Sequence, residues 1–234
     1  MRKIVAIITL LFVVQLNAQK VSIKPLNLEK GKLLFSDDFE RKEGLGEWTV
    51  HEKFNGAFTT KEGVWVTKEI EGAGHGSTAR IQIPYKNVIV EFDFQFKGGK
   101  RFNIVMDDST CKTVWAGHIC RASFSKTGFM VQDDKTGTMD LKIRNQIKDN
   151  PEKKKEFKEL LDSKKSFVKT KLVDGEWYHV RISKKGDIIE CQVDGKITQL
   201  KSKGIDHRSL NKFGPTITGS DILFDNLKIW KLKK

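Results

Sequence analysis

The stretch Val88-Ile-Val-Glu-Phe-Asp-Phe-Gln-Phe96 decides how the rest of the chain is read. Val88, Val90, Phe92, Phe94 and Phe96 fall on one side of an extended strand, while Glu91, Asp93 and Gln95 fall on the other. Similar short patterns lie on both sides of it. Upstream are Leu33 to Phe39, Trp48 to His51, Gly63 to Thr67 and Ala79 to Pro84. Downstream are Phe102 to Met106, His118 to Phe124 and Gly128 to Gln132. Clusters of Gly, Asp, Asn and Lys separate these runs, as in an antiparallel sandwich and unlike alternating strand–helix units.

The strand pattern breaks over residues 141–167, where Ile143, Ile147, Phe157, Leu160 and Leu161 recur at helical spacing among Lys and Glu. Asn150 followed by Pro151 suits a helix start, the asparagine capping and the proline in first position. One or two short helices are therefore expected as an insertion, with the apolar stripe against the sandwich and the lysines in water. Strands resume at Trp177 to Ser183 and Ile188 to Val193, joined by the turn Lys185-Gly186-Asp187. Lys196 to Leu200, Phe213 to Thr218 and Ile222 to Lys231 close the chain. With no internal repeat and no low-complexity linker, the sequence reads as a single domain of about a dozen strands, residues 33–234.

Met1-Arg2-Lys3, an apolar run from Ile4 to Val14 and Ala18 before Gln19 have the charged, apolar and small-residue parts of a secretory signal. Residues 1–18 are set aside as that signal, residues 19–32 as a lead-in. The apolar run is too short for a membrane span, which needs about 20 residues. Membrane insertion is therefore not expected, and export to the periplasm or beyond the cell is. The formal charge of +13, less Arg2 and Lys3, leaves +11 on the mature chain. Such a balance favours acidic polysaccharide, a membrane surface or incidental contact with nucleic acid. Between Lys142 and Lys171 eleven Lys or Arg stand against five Asp or Glu, which reads either as a solvated helix face or as an attractor for an acidic polymer.

Three constellations carry possible chemistry. Glu91, Asp93 and Gln95 nearly match the Glu-x-Asp-x-Glu strand of family-16 glycoside hydrolases, in which alternate residues line a sugar cleft. The third member here is an amide, which cannot serve as acid and base. They can act as a glycan-contacting row or simply as a polar sheet face. The run "MDDSTCKTVWAGHICR", Met106 to Arg121, is the densest polar cluster. It gathers Asp107, Asp108, Lys112, Trp115, His118 and Arg121, a set able to supply a base, its orienting carboxylate and a plate for sugar stacking. Cys111 and Cys120 within it can form a disulfide in an oxidising compartment, bind a metal or remain free, while Cys191 sits in an apolar strand. Asp37-Asp38-Phe39 and Phe224-Asp225-Asn226 can meet at a structural calcium ion or serve as turns. His207, between Asp206 and Arg208, is a solvated or ligand-contacting loop residue. No zinc spacing, phosphate loop or Gly-x-Ser-x-Gly elbow occurs.

"SDDFERKEGLGEWTV", "CKTVWAGHICR" followed by "VQDDKTG", "GEWYHVRISKKGD", "VDGK" and "GPTITGSDILFDNLKIW" together resemble the exported bacterial proteins labelled 3-keto-disaccharide hydrolase domain, loosely called family-16 glycoside hydrolases. The resemblance runs from about Leu33 to Trp230. It implies an all-β, concanavalin A-like jelly roll of two antiparallel sheets, and cleavage of glycosidic bonds in sugars oxidised at carbon 3. On that reading His118 is the base, oriented by Asp107 or Asp108. Arg121 or Lys112 steadies the enolate, and Trp115, Lys112, Glu91, Asp93, Gln95 and His207 contact substrate. The expected partner is an oligo- or polysaccharide, with no nucleic acid and no required cofactor. The rival reading is a non-catalytic glycan-binding jelly roll for acidic polysaccharide.

Overall fold

The structure, a computed structural model, describes residues 24–233. The signal expected at 1–18 lies outside the described residues, as do residues 19–23 of the lead-in. The strands in the first half are β1 (Lys30–Asp37), β2 (Thr49–Val50), β3 (Phe58–Lys61), β4 (Val64–Thr67) and β5 (Ser77–Tyr85). They continue with β6 (Val88–Phe96), β7 (Gly99–Asp107), β8 (His118–Ser125) and β9 (Gly128–Asp133). After three short helices, α1 (Leu141–Asp149), α2 (Lys153–Glu156) and α3 (Lys158–Ser163), comes β10 (Lys165–Lys169). The remainder are β11 (Trp177–Lys185), β12 (Ile188–Val193), β13 (Lys196–Lys201), β14 (Leu210–Gly219) and β15 (Ile222–Leu232).

Two antiparallel sheets pack face to face, the sandwich expected from the alternation and the jelly roll that the motif resemblance implies. An eight-stranded sheet runs β13-β12-β11-β6-β15-β4-β3, with β1 also paired to β15. A seven-stranded sheet runs β10-β9-β8-β7-β14-β5-β2. Every residue of Val88, Val90, Phe92, Phe94 and Phe96 is buried between them. There Phe94 meets Phe102 with ring centroids 4.8 Å apart, and Phe102 stacks on Phe124 at 4.5 Å. Each such ring contributes about 1.5–3 kcal/mol by leaving water. Alternation therefore fixes which face of each strand is core.

β1 begins three residues before the expected Leu33 and ends at Asp37. The chain turns there because Asp37 Oδ1 accepts a hydrogen bond from the Phe39 backbone N–H at 2.9 Å. Phe39 then takes a left-handed φ of 55° and stacks on Trp65 at 5.1 Å. β3 escaped the sequence pattern because "FTTK" carries one apolar residue. The helical insertion opens at Leu141 as expected, with Asp140 capping the Lys142 and Ile143 N–H groups at 2.8 and 3.1 Å. Asn150 Oδ1 accepts from Glu152 N at 3.1 Å, so it closes a turn, and the next helix starts at Lys153 rather than Pro151. The insertion also ends earlier than residue 167. "KSFVK" pairs with β9 as the sheet-edge strand β10, its Phe167 and Val168 suiting extended backbone.

Within the insertion, Lys153 pairs with Glu156, Lys155 with Glu152, and Lys158 and Lys165 with Asp162, all at 2.6–2.8 Å. Part of its basic charge is thus balanced locally, while Lys142, Lys148 and Lys154 have no acidic partner among the described residues. No helix among the described residues is long and apolar enough to cross a membrane.

Candidate active site on the seven-stranded sheet

Alternation that buries Phe102, Ile104 and Met106 of β7 turns Asn103, Val105 and Asp107 to the opposite, outer face of the seven-stranded sheet. Register then assembles a row. Val105 lies opposite Arg121 of β8 and Gly214 of β14, and Arg121 lies opposite Gln132 of β9. Asn103 lies opposite Ser123 and Thr216. Although they face away from the core, Arg80, Asn103, Ser123 and Gln132 are all buried, at 4–9% exposure, so this face carries a polar floor shielded from solvent. Gly214, at φ 154°, packs closely on the neighbouring strand; a Cβ there would collide with the Ala79 carbonyl oxygen. The buried Ser123 hydroxyl has no hydrogen-bond partner among the described residues.

At one end of this floor, His118 Nδ1 lies 2.7 Å from Asp107 Oδ1. Asp107 is 1% exposed, whereas the imidazole is partly open, and its Nε2 has no partner among the described residues. A carboxylate on Nδ1 places the ring hydrogen there and leaves Nε2 as the acceptor. Behind Asp107, Arg80 Nε stands 3.6 Å from Oδ2. Arg80 also donates to the Ala79 and Pro215 carbonyls and to Thr216 Oγ1. Burial pulls the Arg80 guanidinium below its usual value, with the Asp107 charge opposing. The Tyr85 phenol is pushed well up by burial and then by Asp107, and donates to the Lys212 carbonyl at 3.0 Å.

Arg121 is clamped by Asp134, Nε to Oδ2 at 2.7 Å and Nη2 to Oδ1 at 2.6 Å. Gln132 Nε2 donates to the same carboxylate at 3.0 Å. This two-point grip fixes the guanidinium plane and leaves Nη1 unengaged among the described residues. Trp115, in a 3₁₀ turn before β8, is 55% exposed, with the Arg144 guanidinium of α1 5.1 Å from its ring centroid.

Of the residues singled out in the sequence, His118, Asp107 and Arg121 thus come together on one sheet face, and Trp115 stands exposed in the loop leading to His118. Asp108 does not orient His118. Its Oδ2 lies 2.7 Å from His207 Nε2 and its Oδ1 accepts from Thr110, because successive residues at a strand end point to opposite sides. Burial alone would raise the Asp108 carboxyl, but the bonds from Thr110 and His207 outweigh it and hold it below its usual value. His207 is therefore a half-buried partner of Asp108 and of Lys135, whose ammonium reaches Nδ1 at 3.1 Å. It is not the solvated loop residue that its polar neighbours suggest. Lys112 lies exposed in the loop before Trp115.

Glu91, Asp93 and Gln95 belong to β6 and face outward from the other sheet, so they cannot share a groove with His118. Each is already engaged: Glu91 by Arg181 and Lys30, both at 2.7 Å, Asp93 by His179 at 2.7 Å and Asn226 at 2.9 Å, and Gln95 by the Gly175 carbonyl. Residues 24–28 also run across this face, where Leu26 N donates to Glu190 and Arg181 donates to the Leu28 carbonyl.

The bridge between Cys111 and Cys120 is not formed, and all three thiols are free. Cys120 points into the core against Met106 Sδ at 3.9 Å, whereas Cys111 Sγ meets Thr113 Oγ1 at 3.4 Å. Burial pushes the Cys120 thiol up to about 12. Of the acidic pairs near the two chain ends, Asp38 and Asp225 lie near enough for their charges to act on one another. Arg41 and Trp48 take the Asp37 oxygens, and among the described residues no three acidic, His or Cys side chains converge as a metal site. Sequence reasoning missed Arg80, Asn103, Ser123 and Gln132. Arg80 alone left a signal, a charge inside the alternating strand run "ARIQI".

No family model matches the chain, and no curated protein matches it. Among solved structures, the chain is similar to the laminarinase from Rhodothermus marinus, with a TM-score of 0.59 and 11% identity over 87% of this chain and 98% of that one. It is also similar to a non-specific endo-beta-1,3(4)-glucanase from family GH16, with a TM-score of 0.58 and 11% identity over 90% and 95% of the two chains. A sialidase matches 87% of this chain with a TM-score of 0.57 and 13% identity, but the chain spans only 19% of its length. The likeness establishes the fold, a concanavalin A-like jelly roll.

Proposed function

We propose that the protein is an exported carbohydrate-active enzyme that cleaves glycosidic bonds of 3-keto-glycosides. The observation that carries this reading is the His118–Asp107 pair, 2.7 Å apart, with Nε2 unpartnered among the described residues at the end of a buried polar floor. The solved structures of similar fold named above as a laminarinase and an endo-glucanase, together with the motif resemblance, supply the carbohydrate context.

In the proposed reaction, His118 Nε2 removes the hydrogen on sugar carbon 2, which the ketone at carbon 3 acidifies. The electron pair moves toward the ketone oxygen, and the Arg121 guanidinium, held by Asp134, steadies the enolate. Collapse of the enolate breaks the bond from carbon 1 to the glycosidic oxygen, and the imidazolium returns its proton to that leaving oxygen. Water then adds across the resulting enone. Asp107 orients the ring and stabilises its protonated form throughout. No glutamate pair is required, which fits the distance of Glu91 and Asp93 from this face.

Incubation with 3-keto-glucosides and a panel of ordinary oligosaccharides, followed by mass spectrometry, tests the reading. Products are expected from keto-sugars alone, and His118→Ala should cut turnover by about 10²–10⁴-fold while leaving the thermal midpoint in place. Full turnover in that variant removes His118 from the reaction. The exposed Trp115 supports glycan binding as the second reading. Trp115→Ala should weaken oligosaccharide binding without loss of stability, and binding with no turnover of any substrate would favour a binding module.

A further inference from the structure

Lys86, Lys185, Arg208, Lys231 and Lys233 line one cavity of about 540 Å³, together with Tyr85. It lies where the turns after β5 and β11 meet the start of β14 and the end of β15. No carboxylate lines it. Asp206 stands 3.6 Å from Lys86 and Glu29 lies 2.6 Å from Lys233, but Lys185, Arg208 and Lys231 have no acidic partner among the described residues. In the helical insertion Lys153, Lys155 and Lys158 pair with nearby acids, whereas Lys142, Lys148 and Lys154, without an acidic partner among the described residues, are spread along the surface and line no common recess with the five cations here. Like charges around one recess repel, and the fold gains nothing by gathering them there without a counter-charge.

The recess is also held in shape. Buried Lys184 donates from Nζ to the carbonyls of Lys86 and Gly186 at 3.0 and 3.4 Å, and Gly186 N donates to Asn87 Oδ1 at 2.9 Å. The two turns that carry Lys86 and Lys185 are thereby tied together beneath the rim. Tyr85, which lines the cavity, donates to the carbonyl of Lys212, and Lys212 is the register partner of Asp107. The basic recess therefore sits at the same end of the sandwich as the His118–Asp107 pair.

We infer that this cavity seats an anionic group of an acidic polysaccharide, either a sulfate ester or a uronate carboxylate. Its volume falls within the range of about 300–1,000 Å³ of small-ligand sites. A recess suits a single projecting anionic group better than the flat surface of a bilayer. The choice of polymer rests on the carbohydrate reading above, whereas the anion site itself does not need the proposed reaction.

The test is titration of the full mature chain with heparin, polygalacturonate and neutral laminarin, in parallel with vesicles of phosphatidylcholine and phosphatidylglycerol. Lys185→Glu, Arg208→Glu and Lys231→Glu are combined in one variant. Lys142→Glu, Lys148→Glu and Lys154→Glu, an equal change of charge on the insertion, form the comparison. The pocket variant should bind the anionic polymer at least about tenfold more weakly, while the comparison variant retains affinity. The slope of log affinity against log salt should fall by about two, at roughly 0.7 per lost contact as for single-stranded polyanions. Heparin binding without polygalacturonate binding assigns sulfate, the converse assigns carboxylate, and either supports the site.

Equal loss in both variants would overturn it in favour of diffuse charge. Retention on vesicles with the same variant dependence, exceeding that on both polymers, would overturn it in favour of a lipid surface. Failure of the native chain to bind either polymer at low salt also overturns it. Should the reversal variant misfold by circular dichroism, the corresponding glutamine triple variant carries the comparison. Since binding is read without turnover, a chain that holds the polymer but cleaves no keto-sugar keeps this site and loses the proposed reaction.

Discussion

Asp107→Asn should destabilise the fold through Arg80 while leaving the shape of the His118 contact intact. An amide oxygen can still accept the His118 Nδ1 hydrogen, so the change removes charge and little else. Arg80 Nε stands 3.6 Å from Asp107 Oδ2, and the two residues are 9% and 1% exposed. Unit charges at that spacing attract by about 4–5 kcal/mol at an effective dielectric of about 20. Desolvation offsets part of this. Removing one partner of such a buried pair typically costs about 3–5 kcal/mol, because the remaining charge is left without compensation. Three other acceptors on Arg80, the Ala79 and Pro215 carbonyls and Thr216 Oγ1, soften the loss, which places the expected cost near 3 kcal/mol. Urea unfolding followed by the fluorescence of buried Trp48 and Trp65 is the assay. With a slope of about 2–3 kcal/mol per molar urea, the midpoint should drop by about 1–1.5 M. Arg80→Met combined with Asp107→Asn should cost less than the sum of the two by about 1–3 kcal/mol. Additivity to within about 0.5 kcal/mol would refute the claim that Arg80 and Asp107 are coupled, and with it the electrostatic presetting of the His118 partner.

Two further outcomes follow from named groups. Burial, and then the charges of Asp93, Glu40 and Asp38, raise the Asp225 carboxyl above its usual value. A raised folded-state carboxyl is a penalty at pH values above its titration that disappears as pH falls through it. Asp225→Asn should therefore raise the urea midpoint at pH 7 but not near pH 3, and a lowered midpoint at pH 7 would show that the carboxylate is favourably held. With Cys111 partly exposed and Cys120 and Cys191 buried, a thiol reagent should label one cysteine per native chain and three after unfolding. No labelling of the native chain, with two thiols regained only on reduction, would establish the Cys111–Cys120 bridge.

Much of the fold was legible residue by residue. Val88–Phe96 and Ile188–Val193 are strands at the limits read from alternation, because a sandwich core rewards a strict period of two. Phe58–Lys61 and Lys165–Lys169 were not legible, since edge and short strands bury too little to impose the pattern. The candidate site was legible only in part. "MDDSTCKTVWAGHICR" brought His118, Asp107 and Arg121 forward because they are close in sequence. Asp107 and Asp108 could not be told apart until the strand end turned one toward His118 and the other toward His207, 99 residues away.

The sequence by itself determined the layers, the core face of each long strand, the helical insertion and the polar stretch that brings His118 and Asp107 close in the chain. These follow from periodicity and local composition, which act between neighbours in the chain. Only the tertiary structure decided that Glu91 and Asp93 stand on the opposite sheet from His118, that Arg80 backs Asp107, and that five cations from four separate segments line one recess. Those placements depend on strand order and register, which are set by the packing of two whole sheets and leave no local signature.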